Sequence, residues 1–244
     1  MTSAPIAEQR LLIDLQDIDA GLARLAHERR ALPALARIET TITRLKDNKR
    51  AALLATAALS EAKQGATHAE DEVGQVVRRA AALRERLAAG GDAARDLTAI
   101  QGEIDQLGRR QAVLEDAQIA AMEALEAAQA ESDRLAAEEQ TIRAAGRELT
   151  AERDAEFTRI DEETERLRAR RDELAGTISA ALLADYDAVR AATGGLGVLA
   201  LRGHRLEGGS VELSPAELAR IDAAPADAII HAEENDVIIV RMDI

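Results

Sequence analysis

The sequence predicts a mainly α-helical fold: a long antiparallel coiled-coil helical hairpin followed by a small C-terminal β-rich module. Three observations carry this. Hydrophobic residues make up 47% of the 244, yet there is one Phe, one Tyr and no Trp. Aromatic side chains supply much of the area buried in globular cores, so a chain built on Ala and Leu points to thin seams between helices. No proline occurs between Ala34 and Ser214, which permits very long helices. Charged residues make up 31% and are interspersed with Ala, Leu, Gln and Glu, the bias of coiled coils.

The hydrophobic spacing supports each helix in turn. Leu11, Leu15, Ile18, Leu22 and Leu25 step by four, three, four and three, and Val73, Val76, Ala80, Leu83 and Leu87 alternate in the same way. A longer stripe runs through Leu97, Ile100, Ile104, Leu107, Gln111, Leu114, Gln118, Ala121, Leu125, Ala128, Ser132 and Leu135. A repeat of 3.5 residues asks for a left-handed coiled coil. Pro33 lacks a backbone donor and predicts a kink or short break. Gly90-Gly91-Asp92 is the clearest turn signal between two arms of nearly equal length. Such arms can zip onto each other, each reaching roughly 120 Å at 1.5 Å per residue. The competing arrangement, one continuous helix in a parallel dimer, is disfavoured by the diglycine and the matched arms. Gly65, Gly74, Gly102, Gly108 and Gly146 within the helices read as tolerated weak spots or as flexible joints.

The predicted boundaries are 1–192 for the hairpin, with arms at about 6–89 and 93–179, a turn at 90–92 and a short helix at 180–192. The module takes 193–244, where six of the fifteen glycines fall between Gly194 and Gly209. Strands are expected at 198–201, 210–213, 228–231 and 237–241. Ser214-Pro215-Ala216-Glu217 reads as a capping box with proline at the first helical position, opening a helix to about Ala223. Val237-Ile238-Ile239-Val240 is apolar on both alternating faces, so both should be covered, one by the module's own core and one by the short helix or the base of the coiled coil.

Composition excludes several functions. With no cysteine there are no disulfides and no thiolate metal sites. The net charge of −14 disfavours general affinity for nucleic acid. The start MTSAPIAEQR lacks the pattern of a signal peptide, and the apolar run Ala51–Leu59 is too short to span a bilayer. A cytoplasmic protein is expected, without membrane association. No phosphate loop, dinucleotide fingerprint or nucleophile constellation is present. The acid pairs Glu138-Glu139 and Glu233-Glu234 and the triplet Asp161-Glu162-Glu163 read as solvated charge. No enzymatic activity and no cofactor are expected.

Along the whole chain, the sequence resembles a known bacterial family, the coiled-coil proteins with a C-terminal four-cysteine zinc ribbon. DAARDLTAIQGEIDQLGRRQAVLED (92–116) is similar to the family's turn and second-arm start. LLADYDAVRAATGGLGVLALRGHR (182–205) resembles its exit from the coiled coil, and SVELSPAELARIDAAPADAIIH (210–231) with VIIVR (237–241) its ribbon. The resemblance implies a zinc-ribbon-like module and an adaptor or chaperone-like role in regulation, since some relatives are described as RNA- or sigma-factor-associated. The four positions of its two C-x-x-C pairs hold Leu206, Gly209, Ala232 and Asn235 here, so the ribbon is degenerate and zinc binding of the family's kind is excluded. Leu206 and Ala232 are expected to fill the vacated centre, and Gly208-Gly209 and Asn235-Asp236 to keep the left-handed turns. A substitute metal site on His204 and His231, with Glu207, Glu233, Glu234 and Asp236 nearby, is one reading. The other makes His204 part of the Gly-His-Arg lead-in and His231 an ordinary strand residue.

One end of the hairpin is basic. Arg78, Arg79, Arg84, Arg86, Arg95, Arg109 and Arg110 stand there against Glu85, Asp92, Asp96, Glu103 and Asp105. Two readings stay open: interhelical ion pairing with those acids, or a contact patch for an acidic protein or for RNA. The module, with four Arg, no Lys and nine acids from Leu196 onward, repels phosphate and offers no aromatic for stacking on bases. A protein partner is therefore expected before a nucleic acid. Monomer and homodimer both remain open.

Overall fold

The computed structural model describes residues 3–90, 94–207 and 213–243. Helices α1 (Ile6–Arg30), α2 (Pro33–Ala89), α3 (Ala94–Ala175) and α4 (Ala180–Ala192) precede strands β1 (Val198–Arg202) and β2 (Arg205–Glu207), helix α5 (Pro215–Ala223), and strands β3 (Ile230–His231) and β4 (Ile238–Arg241). The fold class is the expected one, a long helical hairpin with a small C-terminal sheet of four strands. The chain forms two compact units, Met1–Leu35 with Ala151–Ile244, and Ala36–Thr150.

The second unit is a two-helix coiled coil. As the residue on α2 moves from Thr41 to Asn48 to Arg79, its neighbour on α3 moves back from Gly146 to Leu135 to Glu103. The helices are thus antiparallel. Every position of the stripe from Leu97 to Leu135 is buried or half-buried, including Gln111, Gln118 and Ser132. The buried Asn48 amide donates to the Leu135 carbonyl at 3.3 Å, a polar contact that fixes one register of the seam. Near the turn, Leu83 packs with Ile100 and Ile104. Gly90 has φ +64°, the left-handed value that glycine adopts freely. Gly91 and Asp92 lie outside the described residues. Both helices run unbroken through Gly65, Gly74, Gly102, Gly108 and Gly146.

In the first unit, α1 ends at Arg30 and α2 begins at Pro33, so the break falls where the proline predicts it. The sheet has the order β2-β1-β4-β3, with β1 and β4 parallel and the outer pairs antiparallel. Both faces of β4 are covered. Ile238 and Val240 join Leu12 and Leu15 of α1 and Leu182, Tyr186 and Val189 of α4. Ile239 joins Leu201, Ile221 of α5, Ile230 and Ala232.

Three details depart from the sequence reading. The strand β2 was not foreseen, and of the strand expected at 210–213, residues 210–212 lie outside the described set while Leu213 is in no strand. The strand expected at 228–231 shortens to Ile230–His231, because Ala228 closes a turn on Pro225 and bridges Ser3 instead. The capping box is half realised. The Ser214 hydroxyl accepts from the Glu217 N–H at 3.1 Å, but the buried Glu217 carboxylate turns away to accept from the Glu233 N–H at 2.9 Å.

Candidate interaction sites

Two of the four positions compared with the resembled family's cysteines, Leu206 and Ala232, lie in apolar clusters. Ala232 is buried in the cluster around Ile221 and Ile239, and half-buried Leu206 packs against that cluster and against the one under α1 and α4. The 232–237 turn keeps a tight shape without metal. The Asp236 N–H donates to the Ala232 carbonyl at 3.0 Å and the Ala232 N–H to the Val237 carbonyl at 2.9 Å. Asn235 Oδ1 accepts from the Val237 N–H at 3.3 Å, and Asp236 takes φ +59°. Thus Asn235 turns its side-chain oxygen onto the turn's own backbone. Gly208 and Gly209 lie outside the described residues. Leu206 and Ala232 offer no donor atom to a cation, so the residues present do not fit a four-ligand zinc ion.

The two histidines are not brought together. His204 lies in the β1–β2 turn with Nε2 3.5 Å from Asp222. His231, on the strand at the other edge of the sheet, faces Asp185 at 3.2 Å through Nε2 and the Asp236 carbonyl at 2.9 Å through Nδ1. Among the described residues no group of three or more His, Asp or Glu could hold a metal ion. Mechanical support comes instead from Arg241. It is buried and donates to the carbonyls of Ile221 at 3.0 Å, Ala224 at 2.9 Å and Pro225, gathering the end of α5 and the turn that follows it.

A polar centre that the sequence reading missed ties α1, α3 and α4 together. The Asp19 carboxylate is buried, with Arg171 Nε at 2.7 Å, Arg190 Nε at 3.4 Å and the Tyr186 hydroxyl at 2.9 Å. Arg171 also reaches Asp187 at 2.9 Å. Burial, followed by the Asp19 charge, pushes the Tyr186 phenol far above its ordinary range, and the hydrogen bond to Asp19 raises Arg171. The only legible signal was an acid at position 19, on the flank of the Leu15–Ile18–Leu22 stripe. Its partners come from two other helices. Next to it, Gln16 clamps the entry to β1, donating to the Gly195 carbonyl at 2.9 Å and accepting from the Gly197 N–H at 2.6 Å.

The basic tip belongs to the second unit. Arg78, Arg79, Arg84, Arg86, Arg95, Arg109 and Arg110 are all exposed. Of the expected ion pairs with Glu85, Asp96, Glu103 and Asp105, that of Arg79 with Glu103 is formed among the described residues, at 3.0 Å. Asp105 accepts instead from Gln101 at 2.9 Å, and Asp92 lies outside the described residues. Arg78 lays its guanidinium over Gly74. Arg84, Arg95, Arg109 and Arg110 make no ion pair among the described residues.

A family model, the CT398-like coiled coil hairpin domain, matches residues 15–194. The chain belongs to this family. Two curated proteins of Mycobacterium tuberculosis, both named as uncharacterized (Rv2229c of strain H37Rv and MT2288 of strain CDC 1551), are 33% identical to it, over 98% of this chain and 98% of their own. A solved structure from Mycobacterium smegmatis is 29% identical, with a TM-score of 0.81 over 98% of this chain and 100% of that one. CT398 of Chlamydia trachomatis shares the fold at 15% identity and a TM-score of 0.63, over 97% of this chain and 98% of that one. HP0958 of Helicobacter pylori does so at 12% and 0.51, over 99% of each. The CT398-like hairpin thus accounts for α4 and most of α1–α3 here, and the M. smegmatis likeness extends over the C-terminal sheet. No helix among the described residues is long and apolar enough to cross a membrane.

Proposed function

We propose that this CT398-like protein is a non-enzymatic cytoplasmic adaptor that binds a macromolecular partner through its arginine-bearing tip and its metal-free module. The observation that carries this is the set of exposed arginines that make no ion pair among the described residues, Arg84, Arg95, Arg109 and Arg110, on a chain whose net charge is −14. Structural arginines on a coiled coil are ordinarily spent on flanking acids, as the chain does elsewhere with Arg134 and Glu131 at 2.7 Å or Arg143 and Glu139 at 2.7 Å. Arginines left unpaired present planar donors for carboxylate or phosphate. An acidic protein surface is favoured over nucleic acid, because the strongly acidic remainder repels a long phosphate backbone.

The test is binding with the full chain and its Arg84→Ala, Arg95→Ala, Arg109→Ala, Arg110→Ala variant. Proteins captured from the source bacterium by the wild type and lost by the variant support the reading. The second reading, a nucleic-acid-binding regulator acting through the same tip, requires measurable affinity for a short single-stranded RNA or duplex DNA. That affinity would fall steeply with salt and vanish when Arg78, Arg79, Arg109 and Arg110 become Ala.

A further inference from the structure

Every exposed large hydrophobic side chain among the described residues lies in the coiled-coil unit Ala36–Thr150. Scattered exposed hydrophobics such as Val77 and Val113 need no explanation, but the other five, Ile42, Leu53, Leu54, Ile119 and Met122, fall into stripes of opposite charge. On α2, Ile42, Lys46, Lys49 and Leu53 recur at steps of four, three and four, and so share one face, flanked by Arg50 and Leu54. From Ile42 to Leu54 there are four basic residues, Arg44, Lys46, Lys49 and Arg50, against Asp47. On α3, Ile119, Met122, Glu126, Gln129 and Asp133 recur at steps of three and four. With Glu123, Leu125, Ala130 and Lys63 they line an open groove of about 750 Å³. From Gln111 to Asp133 there are six acids and no basic residue. The leucines of the first stripe and Ile119 and Met122 of the second are between 56% and 72% exposed.

These two surfaces fit each other in apolar content, helical spacing and charge sign. They cannot meet within one molecule. The seam joins α2 and α3 at Asn48 and Leu135. Leu53 lies five residues beyond Asn48, about 140° round the helix from the seam, and Met122 is turned from Leu135 by a similar angle. Both surfaces therefore face outward.

We propose that the acidic groove at Ile119–Asp133 is the docking site for the basic Ile42–Leu54 stripe of a second copy of this chain. Leu53 and Leu54 would fill the floor beside Met122 and Leu125, and Lys49 and Arg50 would meet Glu123, Glu126 and Asp133 at the rim. This contact does not use the tip arginines, so it stands or falls independently of the adaptor reading.

Charge exchange tests it. Sedimentation equilibrium of the full chain is run at concentrations on the order of 1 μM to 1 mM, the range proper to a modest interface. The wild type is expected to self-associate, more weakly as salt shortens the screening length. The Glu123→Lys, Glu126→Lys variant and the Lys49→Glu, Arg50→Glu variant should each associate at least about tenfold more weakly, from like-charge contact. An equimolar mixture of the two should recover association, since the reversed groove of one now matches the reversed stripe of the other. All four positions are exposed, and circular dichroism verifies folding. Leu53→Lys and Met122→Lys provide a second pair: each should weaken self-association, and their mixture should regain one contact, the intact stripe of Met122→Lys on the intact groove of Leu53→Lys. A wild type that stays monomeric throughout, variants that associate like wild type, or a folded mixture that fails to recover would each overturn the proposal. So would a groove occupied solely by a basic helix from another protein.

Discussion

Replacing Gly197 by Ala should destabilise the first unit far more than a single methyl group ordinarily does. A Cβ at 197 would stand 2.4 Å from Cε2, 2.6 Å from Cδ2 and 3.2 Å from Cζ of Tyr186. Carbon atoms in contact sit about 3.5–4.0 Å apart, so the ring must retreat by more than about 1 Å. It has little room to do so. Tyr186 is fully buried among Leu12, Leu15, Leu182 and Val198, and its hydroxyl is held on the Asp19 carboxylate at 2.9 Å. Overpacking a core costs about 1–3 kcal/mol, and losing a buried hydrogen bond to a charged group costs about 1.5–3 kcal/mol more. Together they give about 2.5–6 kcal/mol. The assay is urea unfolding followed by tyrosine fluorescence, which reports on this unit alone because Tyr186 is the sole Tyr and there is no Trp. Gly194→Ala is the control. Its φ of +75° strains an L residue, yet nothing lies within 4 Å, so it should cost about 1–2 kcal/mol. In a double-mutant cycle followed by circular dichroism, Tyr186→Leu should remove most of the penalty at 197. A Gly197→Ala protein within about 0.5 kcal/mol of wild type, or a penalty unchanged in the Tyr186→Leu background, would refute the clash.

Asp19→Ala should cost about 3–5 kcal/mol, because it strands the partly buried Arg171 and Arg190 beside a cavity; denaturant melts measure it. Since the folded phenol of Tyr186 titrates well above its unfolded value of about 10, its contribution is complete below pH 10 and is lost as pH climbs beyond it. An alkaline absorbance titration should therefore show no tyrosinate until the unit unfolds. Adding zinc or a chelator should leave the melting midpoint unmoved, because a ligand that does not bind the folded state cannot stabilise it; a midpoint rising with zinc would reveal a site built on other groups. The alanine variant of Arg84, Arg95, Arg109 and Arg110 should keep wild-type stability to within about 0.5 kcal/mol, as expected of exposed side chains.

The hairpin was legible because a heptad stripe is a property of one helix at a time. From Leu97 to Leu135 the 3.5-residue spacing picks out the covered face, whatever lies opposite. What needs two distant segments was not. The parallel pairing of Val198 with Ile238 spans the whole module, and β2 is only Arg-Leu-Glu, with no apolar run to announce it. Likewise Glu217 looked like the second half of a capping box, but the turn at Glu233 offered its carboxylate a backbone N–H. At the tip, the sequence located the arginines. The α2–α3 register decided that Arg79 would meet Glu103 while Arg84 would find no acid among the described residues. The Asp19 centre was out of reach because its four side chains come from α1, α3 and α4.

The amino-terminal segment is sealed by the carboxy-terminal one: Ala4 donates to the Asp227 carbonyl at 2.8 Å, and Gln9 reaches the Ala4 and Asp227 carbonyls at 2.8 and 3.1 Å. During translation, then, α1 emerges well before the segments that cover it. Leu12 and Leu15 wait for Leu182, Tyr186 and Val240 to be synthesised. At about 5–20 residues per second the wait for Val240 is about 10–45 s. The nascent chain spends it with a greasy flank uncovered, and a ribosome that stalls before β4 releases a polypeptide whose opening helix never acquires its lid.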